Sequence, residues 1–397
     1  AQAAMCLNAV LLAGLPLVCL CCSHVRVTTT DGVDVIGRTM ELGGSNGELL
    51  GVGSAGAPDE TPPYQITVHA RGERYSRSMC KHSESFVVQR GFVSVDLQAV
   101  PQEDNVTVDG MNEDGLTISG HTLRQSVYQD EVHTGAASHS GFKLCFSSLV
   151  PWALGSFRLV KDLTEALQNV SVVADTFLPL PSGDRLHWAV EDATGDRAVL
   201  EYLEGKLQVH QNKVGVMTND PDYTWHLRNL NNWASIHATD PKARDIAVET
   251  AEVGSVPSVV GHGFNLWGLP GDISPPSRFV RLFYLRALTV KNRGLPSTLR
   301  EGVKIIMGLL NNVWITKGTV ALGDGDGPGE FEFTQYSLIK VPQKRLYHWR
   351  TYDDSQWQVM DLTQIDFDRH SSRPLYDGSD GILNVTKRFL SPSKGNA

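Results

Sequence analysis

Cys22, Arg38 and Glu41 place a thiol, a guanidinium and a carboxylate within one short stretch, CSHVRVTTTDGVDVIGRTMEL. A thiol attacks a carbonyl carbon as its thiolate, which an adjacent base makes accessible near neutral pH. If the peptide bond before Cys22 is broken, the residue carries its own base. An α-amine titrates at about 7.7–8.0, and covalent geometry holds it within reach of its own sulfur. A carboxylate such as Glu41 could then orient the amine, and a guanidinium such as Arg38 would favour the thiolate. On these residues alone, an ordinary strand cysteine beside a surface Arg38–Glu41 ion pair is the simpler reading.

The element that must position these groups is a hairpin, because HVRVTTT and VDVIGRTMEL alternate with period two around Asp31-Gly32. A two-residue turn there pairs Thr30 with Val33 and, counting back, Cys22 with Glu41. That register sets Cys22 and Glu41 on one face and turns Arg38 to the other. Bringing both Arg38 and Glu41 to the sulfur would need a bulge, a different turn length or a reach around the strand end.

Upstream, MCLNAVLLAGLPLVCL at 5–20 is apolar but too short for a span of about 20 residues, and reads as a leader. Cys19 and Cys21 stand three and one positions before Cys22, an imperfect small-x-small cleavage pattern. No Lys or Arg precedes the run, so a buried N-terminal helix or a retained anchor stays open. We expect residues 1–21 to be a removed leader, 22–397 to form one domain, and the protein to be exported. Of the body cysteines, Cys80 and Cys145 could pair in an oxidising compartment or stay as buried thiols. Sequons at Asn105, Asn169 and Asn384 fit export but recur by chance at this length and add little. No zinc spacing occurs among the cysteines, and no metal or cofactor is expected.

A net charge of -9 argues against a nucleic-acid partner, since phosphate binding needs clustered Lys and Arg. A mean hydropathy of -0.17 leaves no room for a polytopic membrane protein. Small-molecule or protein partners remain.

Beyond the hairpin, GGSNGELLGVGSAGAPDETPP is a loop without the GK[ST] ending of a phosphate cradle. Residues 85–108 are strand-like, and GMNEDGLTISGHTL is a turn followed by a buried strand. Helical spacing covers 141–169, and a meander of short strands ends at Asn219. The prolines after Ser274 start a helix with Arg278 in its first turn, and Thr298 with Glu301 makes a capping box for the next. EFTQYSLIKV and RLYHWRTYD are the last strands, and GDGDGPG at 323–329 is a plain turn. Without regular βαβ alternation, this order predicts an α+β class of antiparallel sheets covered by helices.

Cys22 with Arg38 in GRTMEL, then VGVMTNDPDYTWHLRNLNNW and GLPGDISPPSRFVRLFYLRA, resembles the choloylglycine hydrolase family, bile salt hydrolases and penicillin V acylases of the N-terminal nucleophile class. GMNEDGLTISG, LLNNV, FTQYS and TYDD match in order, so the resemblance spans nearly the whole chain after the leader. It implies a four-layer αββα sandwich and hydrolysis of linear amides, with a small-molecule acyl-amide substrate and a homotetramer. Carried over by position, Cys22 is the nucleophile with its amine as base, Arg38 and Glu41 surround it, Asn219 supplies an oxyanion-hole donor and Arg278 supports the site. Without the resemblance, Asn219 before Asp220-Pro221 is a turn residue and Arg278 a helix-surface cation. Glu41 stands where the family usually has Asp. Thr122 stands where bile-salt-specific members have Asn, leaving a backbone N–H in place of a side-chain amide. Both departures border the expected substrate pocket. Two other functions compete: a non-catalytic exported relative that binds or scaffolds, and a protease in which His24 assists Cys22.

Overall fold

The computed structural model describes residues 20–42, 64–77, 83–98, 105–129, 141–174, 185–240, 262–322, 330–379 and 381–382. The chain before Leu20, the loop after Leu42, Cys80, Asn384 and the turn at 323–329 lie outside them. In chain order the strands are β1 (Leu20–Thr28), β2 (Asp34–Leu42), β3 (Tyr64–His69), β4 (Arg74–Tyr75), β5 (Phe86–Val87), β6 (Phe92–Leu97), β7 (Val106–Asn112), β8 (Thr117–Thr122), β9 (Phe142–Cys145), β10 (Val170–Val173), β11 (Leu186–Glu191), β12 (Arg197–Leu203), β13 (Lys206–Gln211), β14 (Val216–Met217), β15 (Val320–Leu322), β16 (Glu330–Val341), β17 (Leu346–Thr351), β18 (Gln358–Asp361) and β19 (Ser371–Pro374). The α-helices are α1 (Leu149–Ser156), α2 (Val160–Leu167), α3 (Tyr223–Asn229), α4 (Pro275–Arg293) and α5 (Leu299–Asn311).

Among the described residues, one sheet runs β14-β1-β2-β16-β17-β18 with β15 beside β16, and a second runs β13-β12-β11-β8-β7-β6-β3-β19. Every pairing within both is antiparallel. Helices α4 and α5 cover the first sheet through Val25, Val27, Phe279, Leu282, Ile306 and Leu310. Helices α1 and α2 cover the second, where Leu149, Leu154 and Leu163 meet Ile118, Trp188 and Leu200. The result is the expected four-layer αββα sandwich, because each sheet has two faces to bury and only one can meet the other sheet. Among the described residues no helix is long and apolar enough to cross a membrane.

The hairpin differs from the expected register by one residue. Its loop holds three residues, Thr30, Asp31 and Gly32, closed by the Thr29 N–H donating to Val33 O at 2.9 Å. Gly32 supplies the left-handed position at φ +81° that a three-residue loop needs. The Thr29 hydroxyl accepts a further bond from the Val33 N–H at 2.9 Å, which favours this closure. Cys22 therefore pairs with Met40, and Arg38 with His24. A one-residue change moves every side chain of one strand to the other face.

Other local readings hold with small adjustments. Thr298 caps α5 by accepting from the Glu301 N–H at 3.2 Å, while the Glu301 carboxylate reaches back to the Ser297 N–H at 2.6 Å, one residue earlier than in a regular capping box. The block at 141–169 opens as strand β9 before its helices, since Phe142–Cys145 pairs in parallel with β10. Gly37 is required by packing: a Cβ there would lie 2.4 Å from Ile306 Cγ2, so α5 rests directly on β2. Cys145 is buried and disulfide-bonded.

Candidate active site

The corrected register puts Cys22 on the face of β1 that looks toward the second sheet, beside Met40 and Arg38. The Cys22–Met40 pair is one of the close pairs of an antiparallel ladder, and the two sulfurs lie 3.5 Å apart. Arg38 is the diagonal neighbour, with Nη2 3.6 Å from Cys22 Sγ. Its guanidinium also donates to Gly120 O at 2.7 Å and to the Tyr336 hydroxyl at 2.8 Å. Asp109 lies 3.7 Å from Nε and is itself held by Lys340 Nζ at 2.9 Å and the Tyr347 hydroxyl at 2.9 Å. Arg38 thus spans both sheets and is clamped from three directions, with its charge beside the thiol.

Glu41 corrects the expectation that it faces Cys22 while Arg38 faces away. As an odd-numbered neighbour of Met40, it points with Ser23 and Thr39 to the helix-covered side. There its carboxylate accepts from the Thr334 hydroxyl at 2.9 Å. Burial pushes this carboxyl up to about 7, against the pull of the Arg278 charge and of the Thr334 hydrogen bond. Near the sulfur Glu41 acts as a charge, which opposes the thiolate of Cys22.

The Cys22 backbone is gripped more tightly than its thiol. In a close pair the strand N–H points away from the partner, and Cys22 N–H points toward the segment after β14, donating to Asn219 Oδ1 at 2.7 Å. Arg278, at the start of α4, donates to Asn219 Oδ1 at 2.8 Å, to Cys22 O at 2.7 Å and to the Ser23 hydroxyl at 2.7 Å. Its Nε is fixed by Ile273 O at 2.8 Å, ahead of the prolines that open the helix. Asn219 Nδ2 donates to Thr122 O at 3.0 Å. Two imidazoles hold the chain here, since His187 Nε2 meets Thr218 O at 3.0 Å and His226 Nε2 meets Asn219 O at 2.9 Å. His187 is oriented in turn by Glu201 at 2.9 Å.

Pairing of β7 with β8 ends at Ser119, so the β7 side of Gly120–Thr122 is left for the site. Gly120 O takes Arg38 and Thr122 O takes Asn219, and strand alternation puts the Thr122 N–H on the same edge. Cys22, Arg38, Glu41, Thr122, Asn219 and Arg278 are all buried. Five of them share direct contacts, and Glu41 joins through the field of Arg278. Asp109, Tyr336 and Ser23 were not singled out from the sequence. Tyr336 lies inside FTQYS and Asp109 immediately precedes GMNEDGLTISG, so the motifs themselves carried the signal.

Burial pushes the Cys22 thiol up to about 12, with Arg38 the strongest opposing pull. Among the described residues, no imidazole or carboxylate reaches the sulfur. His24 is engaged with Glu191 Oε1 at 3.2 Å, which removes the support for a His24-assisted protease. Among the described residues neither ring nitrogen of His121 has a hydrogen-bond partner, and burial with the Arg38 charge holds it well below the ordinary imidazole range. With an intact peptide bond before Cys22, the thiol is neutral and lacks a base.

The family of linear amide C–N hydrolases, choloylglycine hydrolase family, matches residues 22–374. Bile salt hydrolase/transferase of Clostridium perfringens is 29% identical over 263 residues, 66% of this chain and 74% of the relative. Bile salt hydrolase/transferase of Lactiplantibacillus plantarum is 30% identical over 279 residues, 70% and 78% of the two chains. Among solved structures, a mutant conjugated bile acid hydrolase from Clostridium perfringens superposes with a TM-score of 0.72 at 23% identity, covering 92% of this chain and 99% of that one. Penicillin V acylase from Agrobacterium tumefaciens gives a TM-score of 0.60 at 20% identity, covering 87% and 88%. Both share this fold.

Proposed function

This chain belongs to the choloylglycine hydrolase family of linear amide C–N hydrolases, and from that premise we propose that it acts through Cys22 as an N-terminal nucleophile once the preceding peptide bond is broken. The observation that carries the proposal is the bond from the Cys22 nitrogen to Asn219 Oδ1 at 2.7 Å, with Arg278 bracing Asn219 and Cys22 O. This cage fixes a main-chain nitrogen beside its own thiol, as an amine-as-base mechanism requires.

In the reaction, the freed amine takes the thiol proton and Sγ attacks the substrate carbonyl carbon. Asn219 Nδ2 and the Thr122 N–H donate to the oxyanion as it forms, a contact worth about 3 kcal/mol when preorganised. The C–N bond then breaks, and the leaving amine departs with the proton held on the Cys22 ammonium. Water, deprotonated by the same amine, hydrolyses the thioester and releases the carboxylic acid. Arg38 favours the thiolate throughout.

The substrate class is an N-acyl amide of the kind named for the relatives, a conjugated bile acid or penicillin V. Export is part of the proposal, supported by the apolar run at 5–20 and the disulfide at Cys145. A homotetramer is the assembly we propose, to be read by light scattering. Intact mass and N-terminal sequencing, followed by a panel of acyl amides, test the mechanism. Cys22 first in the active protein is the expected result, with turnover lost in Cys22→Ala. Full activity in protein that retains residues before Cys22 would overturn it.

A further inference from the structure

On the face of the second sheet turned away from Cys22, two histidines and a glutamate converge at one end of β3. Ile66 and Val68 of β3 point inward to the cluster that contains Cys22, so Thr67 and His69 point outward. His69 ends β3, Glu73 follows in the turn after it, and His370 immediately precedes β19. β19 pairs with β3 through Ser371–Val68 and Ser372–Thr67, so the next step of the ladder sets His370 opposite His69. Their rings stand edge to face with centroids 5.6 Å apart.

One ligand atom from each of His69, Glu73 and His370 lies within 4.8 Å of the other two. Glu73 Oε2 is 3.2 Å from His370 Nδ1 and 3.9 Å from His69 Nδ1. Ligand atoms of a tetrahedral ion bound at about 2.0–2.1 Å are separated by roughly 3.4 Å, so side-chain rotations that draw the three atoms together by up to about 1.4 Å close the site. His69 is 6% exposed, and among the described residues its Nδ1 is buried without a hydrogen-bond partner while facing this gap. The opposite ring nitrogen, Nε2, is held by the Ser94 hydroxyl at 3.0 Å and lies 3.6 Å from the Asp96 carboxylate. Phe92 stacks on the ring at 4.2 Å between centroids. A proton held on Nε2 by Ser94 and Asp96 leaves the Nδ1 lone pair aimed at the gap. This is the carboxylate–histidine support that metal-bound imidazoles use. The three residues open onto a polar cavity of about 370 Å³ that also includes Asp96 and Thr107.

We propose that His69, Glu73 and His370 bind a divalent transition-metal ion of the zinc class, with the fourth position open to the cavity. Two imidazoles and one carboxylate suit that class better than calcium or magnesium, which take oxygen ligands. His69 and His370 are about 300 positions apart, so the ion would clasp the short edge strand β19 to β3.

The test uses the full chain with Cys22→Ser, so that the nucleophilic thiol does not hold metal. It is stripped with chelator, loaded with zinc, dialysed and its metal content measured; cobalt loading is followed in parallel by visible absorption. One more equivalent of zinc in this protein than in the same protein carrying His370→Ala is expected, with tetrahedral cobalt bands lost in that variant. His370 is exposed, and the thermal unfolding of the metal-free variant checks that it folds. Glu73→Gln should weaken zinc at least tenfold. Equal zinc content with and without His370→Ala, or cobalt bands unchanged by it, would overturn the proposal.

Discussion

Replacing Arg38 by Met should slow Cys22 far more than it destabilises the protein. The guanidinium Nη2 stands 3.6 Å from Sγ. At an effective dielectric near 20, a unit charge at that distance favours the thiolate by about 4–5 kcal/mol, which raises the thiol pKa by about 3 when it is removed. The thiolate population then falls roughly a thousandfold at fixed pH. A more basic thiolate is also a better nucleophile, with a Brønsted coefficient of about 0.4–0.5, which returns a factor of about 15–30. The net expectation is alkylation by iodoacetamide about 30- to 60-fold slower at pH ~7. Asp109 is not stranded, because Lys340 holds it at 2.9 Å. Gly120 O does lose its donor, at a cost of about 1–3 kcal/mol in unfolding that is measured separately. The assay is pseudo-first-order labelling of protein beginning at Cys22, read by intact mass, with Cys22→Ser as blank. Arg38→Lys keeps the charge and should recover most of the rate. Labelling of Arg38→Met within threefold of the parent would refute the electrostatic role assigned to Arg38.

With Asn219 as the proposed oxyanion donor, Asn219→Ala should lower kcat about 100- to 1,000-fold with a smaller change in KM, because such a donor acts on charge that appears only in the transition state; a kcat within threefold of the parent would remove it from the oxyanion hole. Glu41 titrates from an ordinary 4.5 to about 7 when folded, so the folded state binds the extra proton. Its contribution to stability is complete below about pH 4.5 and is lost as pH rises through about 7, roughly 3 kcal/mol in all. Urea unfolding of Glu41→Gln should therefore gain on the parent by about that amount between pH ~4.5 and ~8, whereas a constant difference would contradict the shift. Gly37→Ala drives a methyl to 2.4 Å from Ile306 Cγ2 and should cost about 1–3 kcal/mol, with partial recovery in the double variant carrying Ile306→Ala.

Chain-local signals carried much of the molecule. Period-two alternation at 24–42 gave the hairpin, the prolines after Ser274 gave the start of α4 with Arg278 in its first turn, and Thr298 with Glu301 gave the start of α5. These depend on torsional preferences and on hydrogen bonds between near neighbours, so they survive translation into structure. The resemblance in motif order added the layer architecture and the residue types of the site.

What the sequence by itself determined is the set of reactive groups and the elements that bear them: Cys22 and Arg38 on one hairpin, Asn219 after a strand, Arg278 on the first turn of a helix. Tertiary structure alone decided which of them face one another. A three-residue loop in place of a two-residue one brought Arg38 to the sulfur and sent Glu41 to the helix-covered side, since a strand has two faces and one residue exchanges them. Docking of the second sheet turned Gly120 O, Thr122 and Asp109 into neighbours of the site, and pairing of β19 with β3 set His370 beside His69. Such contacts join residues far apart in the chain, and they exist only once sheet order and register close the distance.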